Sequence, residues 1–574
     1  MNKFTLLFLS VCLLSACSGK KLLSSGNADQ SEKTNNEREL TYLFIEANKE
    51  KLIGNTAKAM ALFEQVISKD PDNDAAYFEL GKLQAESESY QLAEQNATKA
   101  IKLDPDNRYY YFLKSEILKR QNRIEESAKV MEDALKVFPK DIELYYELAT
   151  QYIAVENYTE ARKTYERAID ELGENPEISL QIVRLYLKQG NLNQAETGIK
   201  KLVNSFPNEL LYQDILGEIH LNKKELDKAE TIYQEILKQD PANGYAHFRL
   251  SEIYSKQGRD KKAYQSIKLG FKSSRVSIDD KVNVLLNYFE FTRVNPTYLS
   301  EAYELCKLLI EVHSEDPKSY AIYGDFLLRD RKFEAARTQF RASVERAPDK
   351  HLIWNEIIVI DAQLNDTEAL LSDTEKALTL FPNMPDFYLY RGIALAQQEE
   401  YEEAAAVFEA GKIKVIDNPG LKAEFYSNLG DIYHELEEHK KSDKAYEQSL
   451  KLVPENPFVL NNYSYYLSLR KEKLDKAASM SKKANELQPG QASFLDTYGW
   501  ILYQLGKYEE AKIYLDQALD NGGMSSGTIL EHYGDVLYQL GDKIGAIEYW
   551  KKAKSTNENS AFLEQKIREG KLYE

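Results

Sequence analysis

The chain has 574 residues, 43% apolar and 29% charged, with a formal net charge of −18. That balance excludes an intrinsically disordered chain and a protein built of membrane spans. Acidic residues outnumber basic ones, 92 to 74, so the basic track that neutralises a phosphate backbone is missing and nucleic acid is not expected as a partner. Partners with a basic face are the better expectation, beside the plain alternative of a solvated acidic exterior.

The first element is short and apolar. Lys3 precedes an apolar run from Phe4 to Leu13 that is too short to span a bilayer, and Leu14-Ser15-Ala16-Cys17 follows. This string resembles the lipobox of bacterial lipoproteins. The resemblance implies removal of residues 1–16, a diacylglyceryl group on Cys17 and anchoring in a membrane through lipid. Family habit, with Ser18 after the cysteine, points to the outer membrane and its periplasmic face. Residues 17–38 are rich in Ser, Asn, Lys and Glu without apolar periodicity, and read as the acylated cysteine and a flexible tether.

From residue 39 onward the pattern is helical and repeats. Pro71, Pro105 and Pro139 stand 34 residues apart, and the interval returns between Pro207 and Pro241 and between Pro348 and Pro382. Within the interval, residues recur at fixed slots. Examples are Tyr77, Leu80, Gly81, Ala93 and Ala100; Tyr145, Leu148, Ala149, Tyr152, Ala161, Tyr165 and Ala168; Leu530, Tyr533, Gly534, Leu537, Ala546, Trp550 and Ala553. The pattern resembles the tetratricopeptide repeat. It implies an all-α fold, a right-handed superhelical solenoid of about fifteen helix-turn-helix units over roughly residues 39–560. Gly81 and Ala93 are expected where the two helices of a unit (A, then B) cross. Twelve of the 15 prolines are expected at the ends of B helices. The 39 tyrosines are expected in core slots that Leu, Phe or Trp would serve equally well.

Two stretches depart from the period. No proline closes a unit between Pro241 and Pro317, and residues 277–317 form a degenerate copy between an N-terminal array (39–276) and a C-terminal one (318–560). Either the pitch changes there or two arrays meet, unless a drifted copy simply stacks. The copy from His351 to Pro382 carries Ile358 and Leu370 in small-residue slots, which predicts a local opening of its helix pair. Residues 561–574 read as a helical tail. Cys306, the one cysteine left in the body after Cys17, occupies an apolar slot and is expected to be a core thiol.

No catalytic, metal or cofactor constellation is expected. His434-Glu435-Leu436-Glu437-Glu438-His439 misses the zinc motif H-E-x-x-H by one residue, five residues of helix would place the rings about 140° apart, and the string runs out of helix A into the inter-helix turn. What remains is the inner face. By resemblance, the fifth and ninth positions of each A helix line a groove that binds proteins or extended peptide segments. Phe78, Phe112, Tyr146 and Leu180 make an apolar ladder on that frame, with burial by superhelical winding as the alternative. Asp431, Asp496, Glu531 and Asp535, with Asn461 and Trp500 among them, make the C-terminal groove acidic. The blocks Asn461–Leu467, Phe494–Tyr503 and Glu531–Leu537 resemble those of outer-membrane lipoprotein adaptors for periplasmic carboxyl-terminal-processing proteases. The expectation is a non-enzymatic scaffold or adaptor, with a glycan-capturing uptake lipoprotein as the competing reading.

Overall fold

The structure, a computed structural model, describes residues 27–556 and 560–573. Cys17 and the signal segment lie outside the described residues. The first helix, Asn27–Leu52, begins inside the segment read as a tether, so residues 27–38 are helical. Among the described residues the chain has 31 α-helices, two 3-10 turns and no strand, and the first thirty α-helices alternate as fifteen pairs, an A helix followed by a B helix. A short helix, Leu563–Glu569, follows in the tail. The chain divides into two compact units between Ala263 and Tyr264, about one helix before the expected join.

In the first unit each B helix presents alanines to its neighbours: Ala93, Ala97 and Ala100 are fully buried, as are Ala161 and Ala168. Small side chains there let the A helices approach, and Tyr145, Leu148 and Tyr165 fill the space between. A helices start on capping side chains. Asn73 accepts a hydrogen bond from the Ala76 amide at 3.0 Å and Asp141 from that of Glu143 at 3.0 Å, each two residues after a proline. Turns from A to B pass through a left-handed residue. Gly190 takes this conformation freely, whereas Glu156 and Lys224 do so at about 1 kcal/mol each.

The prolines divide differently from the expectation. Nine directly follow the C-cap of a B helix, but Pro176, Pro317, Pro385, Pro419 and Pro457 open the next A helix. The missing amide costs nothing at a first helical position, where it has no intrahelical acceptor.

The fourth slot of helix A also differs from a plain core position. Tyr145 donates to the Pro139 carbonyl at 2.9 Å, Trp354 to Pro348 at 3.0 Å, Tyr388 to Pro382 at 3.0 Å and Gln213 to Pro207 at 2.6 Å. All four side chains can donate. Leu460 and Leu495 hold the same slot six residues after Pro454 and Pro489 and are buried there, so the position takes a donor in some units and an aliphatic side chain in others.

In the second unit the small slot of helix A forms a socket for a ring from helix B. A Cβ added at Gly430 would lie 2.8 Å from Tyr446, and one at Gly534 would lie 2.6 Å from Trp550. Gly324 meets Phe340 and Gly392 meets Phe408 in the same way.

The degenerate copy is a long helix, Ile278–Val294, a 3-10 turn, Pro296–Tyr298, and a helix, Leu299–Val312. Polar side chains stand in for the usual packing. Lys281 is fully buried, and its Nζ reaches the Ser273 carbonyl and His313 Nε2, both at 2.8 Å. Burial lowers its pKa to about 8. Arg329 donates to the Phe289 carbonyl at 2.7 Å and Thr292 Oγ1 at 2.9 Å.

The copy at His351–Pro382 opens as expected: helices His351–Gln363 and Thr367–Leu380 meet over less of their length than the paired helices of the units on either side. Ile358 and Leu370 are buried, and Arg337 bonds Asp361 at 2.6 Å and Asp366 at 2.7 Å while Arg341 bonds Asp373 at 2.5 Å. This charge network clamps helices that lack the small-residue crossing. Cys306 is fully buried, and burial pushes its thiol pKa upward. Iodoacetamide should therefore leave Cys306 unmodified in the folded chain at pH 8 and label it in denaturant, read by intact mass.

Candidate functional site

The apolar ladder of the first unit lies on its A helices but not as an open strip. Phe78, Phe112 and Tyr146 are half-buried and Leu180 is buried. Phe78 packs on Tyr110 at 5.0 Å between centroids, and Tyr146 meets Tyr165 edge-on at 5.7 Å. The ladder is largely packing, because each ring leans on the next A helix or on its own B helix.

Two of its members nonetheless help to floor a hollow of about 420 Å³. Tyr146, Leu180, Leu211 and Tyr212 give it an apolar surface, and Glu177, Gln181 and Glu209 give it a polar one. Three successive A helices, Ile142–Ala154, Pro176–Lys188 and Leu210–Asn222, or the turns before them, supply these residues. Leu211 is 46% exposed. Position alone could have placed Leu211 in the ladder's neighbourhood, since it stands at the start of the next A helix.

The acidic groove expected in the second unit is not one. Asp496, Glu531 and Asp535 are buried, and Asp431 is only partly exposed. The tail accounts for two of them. Lys566 from helix Leu563–Glu569 places its ammonium 2.9 Å from Glu531 and 2.7 Å from Asp535, and Leu563 packs fully buried in the same core as Trp550. The Trp550 indole also donates to Asp535 at 2.8 Å.

His532 accounts for a third. Its Nδ1 lies 2.9 Å from Asp496, and its ring stacks on Trp500 at 4.0 Å. Burial works against the imidazolium, but the Asp496 carboxylate outweighs it and raises the pKa. Asp431 accepts from Tyr446 at 2.5 Å and from Asn462 at 3.4 Å, and burial raises its pKa. Asn461 and Trp500 are buried too, with Asn461 Oδ1 and Trp500 Nε1 lacking hydrogen-bond partners. The resemblance placed these residues on one face of the A helices; it could not show that the chain's own tail packs over Glu531 and Asp535.

Burial lifts the Asp535 pKa to about 6 although Lys566 opposes the shift. A carboxyl raised above its ordinary value of about 3.9 takes up its proton in the folded state first, so its contribution to stability grows as pH falls from about 7 through 6 towards 4. Asp535→Asn should remove that part of the slope, visible as a flatter profile of unfolding midpoint against pH.

Two histidine groupings were not foreseen. His434 and His439 lie on successive helices, so the wheel argument does not apply, and their rings are 5.7 Å apart. Burial, then Arg470 and His439, lowers His434 to about 4. A guanidinium so near is unfavourable for a metal cation. In the first unit Glu196, His220 and Glu225 converge closely enough to hold an ion. However, Lys200 and Lys223 already bond Glu196 at 2.5 and 2.6 Å, and Lys228 bonds Glu225 at 3.1 Å. These ammonium groups offset the carboxylates without a metal.

Paired antiparallel helices with recurrent Tyr, Gly, Ala and Pro slots define a helical-repeat solenoid whose working surfaces are A-helix faces. Tetratricopeptide-repeat profiles match residues 54–117 and 152–219, residues 112–177 and 371–419, and residues 213–243, 423–456 and 492–521. The chain belongs to the tetratricopeptide-repeat family.

It is 31% identical over 176 residues to TPR repeat-containing protein PA4667 of Pseudomonas aeruginosa, covering 28% of each chain. It is 23% identical over 327 residues to TPR repeat-containing protein MJ1428 of Methanocaldococcus jannaschii, covering 52% of this chain and 56% of that one. A human protein O-mannosyl-transferase, TMTC3, matches at 20% identity over 46% of this chain and 30% of its own length. The chain thus spans about a quarter to a half of the length of these curated relatives. Among solved structures, the APC/C hetero-tetramer Cut9-Hcn1 aligns over 95% of this chain and 99% of its own, at 14% identity and a TM-score of 0.37. YrrB, titled a TPR protein with an unusual peptide-binding site, aligns over 30% of this chain and 90% of its own, at 21% identity and a TM-score of 0.25.

Proposed function

We propose that the protein is a non-enzymatic scaffold, lipid-anchored through Cys17 on the periplasmic side of a bacterial outer membrane, that holds partner proteins on its A-helix faces. The observation that carries the reading is the hollow at Tyr146, Leu180, Leu211 and Tyr212: an apolar surface with a polar rim, presented by three consecutive A helices. The non-enzymatic part is supported by how the buried ionisable groups are used. Asp496, His532, Glu531, Asp535 and Lys566 bond one another, and Lys281 bonds a carbonyl and His313. The C-terminal blocks support an adaptor for a processing protease or a cell-wall hydrolase complex as the particular role. The lipobox string supports the anchor, and no helix among the described residues is long and apolar enough to cross a membrane.

Cys17→Ala should move the protein from the membrane fraction to the soluble one. Capture from detergent-solubilised envelopes should return a defined protein set with the wild type and lose it with Leu211→Ser/Tyr212→Ser at unchanged circular dichroism. Recovery of glycan with no protein partner would support the uptake reading instead and overturn this one.

A further inference from the structure

We infer that the hollow of the first unit takes a partner's amphipathic helix presenting an aliphatic side chain and, one turn further on, a lysine or arginine; this deepens the scaffold reading and rests on it. The first support is charge. Glu177 and Glu209 border the apolar surface, and no lysine or arginine is among the lining residues. Carboxylates elsewhere on the A helices of this unit are met from within. Glu147 receives Lys119 at 2.6 Å, and Glu218 receives Arg249 at 3.5 Å. The hollow thus offers acceptors to a cation that its own lining does not supply, next to an apolar surface that excludes a purely polar strand.

The second support is an internal example of the same recognition. In the second unit, helix Leu563–Glu569 docks on a repeat through two side chains one turn apart. Leu563 buries completely among Leu530, Trp550 and Ala553, and Lys566 sets its ammonium against Glu531 and Asp535. Glu531 stands at the fifth position of its A helix, the position that Tyr146 and Leu180 hold in theirs. An apolar side chain three residues before a lysine is therefore a combination that this repeat face accommodates. In the first unit Leu180 is buried while Glu177 and Glu209 are exposed, so the cation of the occupant stays near solvent while its aliphatic side chain packs on the apolar residues.

Fluorescence anisotropy with the full chain tests this. The probe is a short labelled alanine-based helical peptide carrying one Leu and, three residues later, one Lys, and the controls replace that Leu by Ser or that Lys by Glu. The Leu/Lys peptide should bind about tenfold more tightly than either control, and its affinity should fall as salt rises. Glu177→Lys/Glu209→Lys, two changes at the rim, should remove the preference for Lys over Glu, while Leu211→Ser should remove the preference for Leu over Ser. Equal binding of all three peptides, no binding by any, or a preference unchanged in both variants overturns the inference. Partner capture that persists alongside such a result leaves the scaffold reading standing, whereas capture that fails removes both.

Discussion

Lys566→Ala should destabilise the C-terminal repeats by about 3–5 kcal/mol, the loss expected when one member of a buried ion pair is removed and the other charge is left in place. Lys566 is 4% exposed, and its ammonium is the only cation that the tail helix brings to Glu531 and Asp535, which are 6% and 2% exposed. Without it, two carboxylates face each other across an interior that also holds the Trp550 indole. Hydrogen exchange should report the effect locally, as lost protection in helices Gly527–Gln539 and Lys543–Lys554, because stability in a repeat array is a sum of nearest-neighbour terms. The combination Lys566→Met with Glu531→Gln and Asp535→Asn should recover most of the loss, since it removes the buried charges together. Unchanged protection in Lys566→Ala would falsify the role given to this lysine.

The second large effect concerns the glycine sockets. Phe408 is fully buried and its ring lies where a Cβ on Gly392 would be, so Phe408→Ala should cost about 3–5 kcal/mol through lost burial and a cavity. Gly392→Val should cost about 3 kcal/mol by the opposite route, forcing helix Pro385–Gln397 away from helix Tyr401–Lys412. The two errors offset in volume. The double variant should therefore be less destabilised than the sum of the singles by more than about 1 kcal/mol, measured as a double-mutant cycle in urea. Strict additivity would show that the ring and the glycine do not share one site.

Much of this architecture was legible in the chain. Tyr, Gly, Ala and Pro recur at intervals set by one supersecondary unit, so helix pairs and their crossing points followed from spacing, and Cys306 could be placed in the core. Groups whose burial depends on a second element were not legible. Glu531 and Asp535 have the spacing of exposed acids on a helix face, and only the folded tail neutralises them. Asp361 reads as a surface residue until Arg337 and Arg341 arrive from the preceding unit. His434 and His439 could be read as flanking the turn between two helices, but not as neighbours until the left-handed Glu437 brings their rings together. Of the candidate site, the fifth positions of the A helices came from the resemblance to tetratricopeptide repeats. The hollow needed Glu209, Leu211 and Tyr212 from the next unit, which a per-repeat consensus does not couple to Tyr146 or Leu180.

The donor at the fourth slot of helix A has a bearing on how such a chain can lengthen or shorten. Where Tyr145, Gln213, Trp354 or Tyr388 holds the slot, its bond to the proline carbonyl six residues earlier ties the start of the unit to the end of the one before. A single-residue insertion in that connection moves the hydroxyl or indole off its acceptor and rotates every later unit about the array axis. Gain or loss of a complete unit leaves each bond intact. At those joins the chain is therefore tolerant of edits in whole periods and intolerant of edits within them, a rule of grammar enforced by a single hydrogen bond.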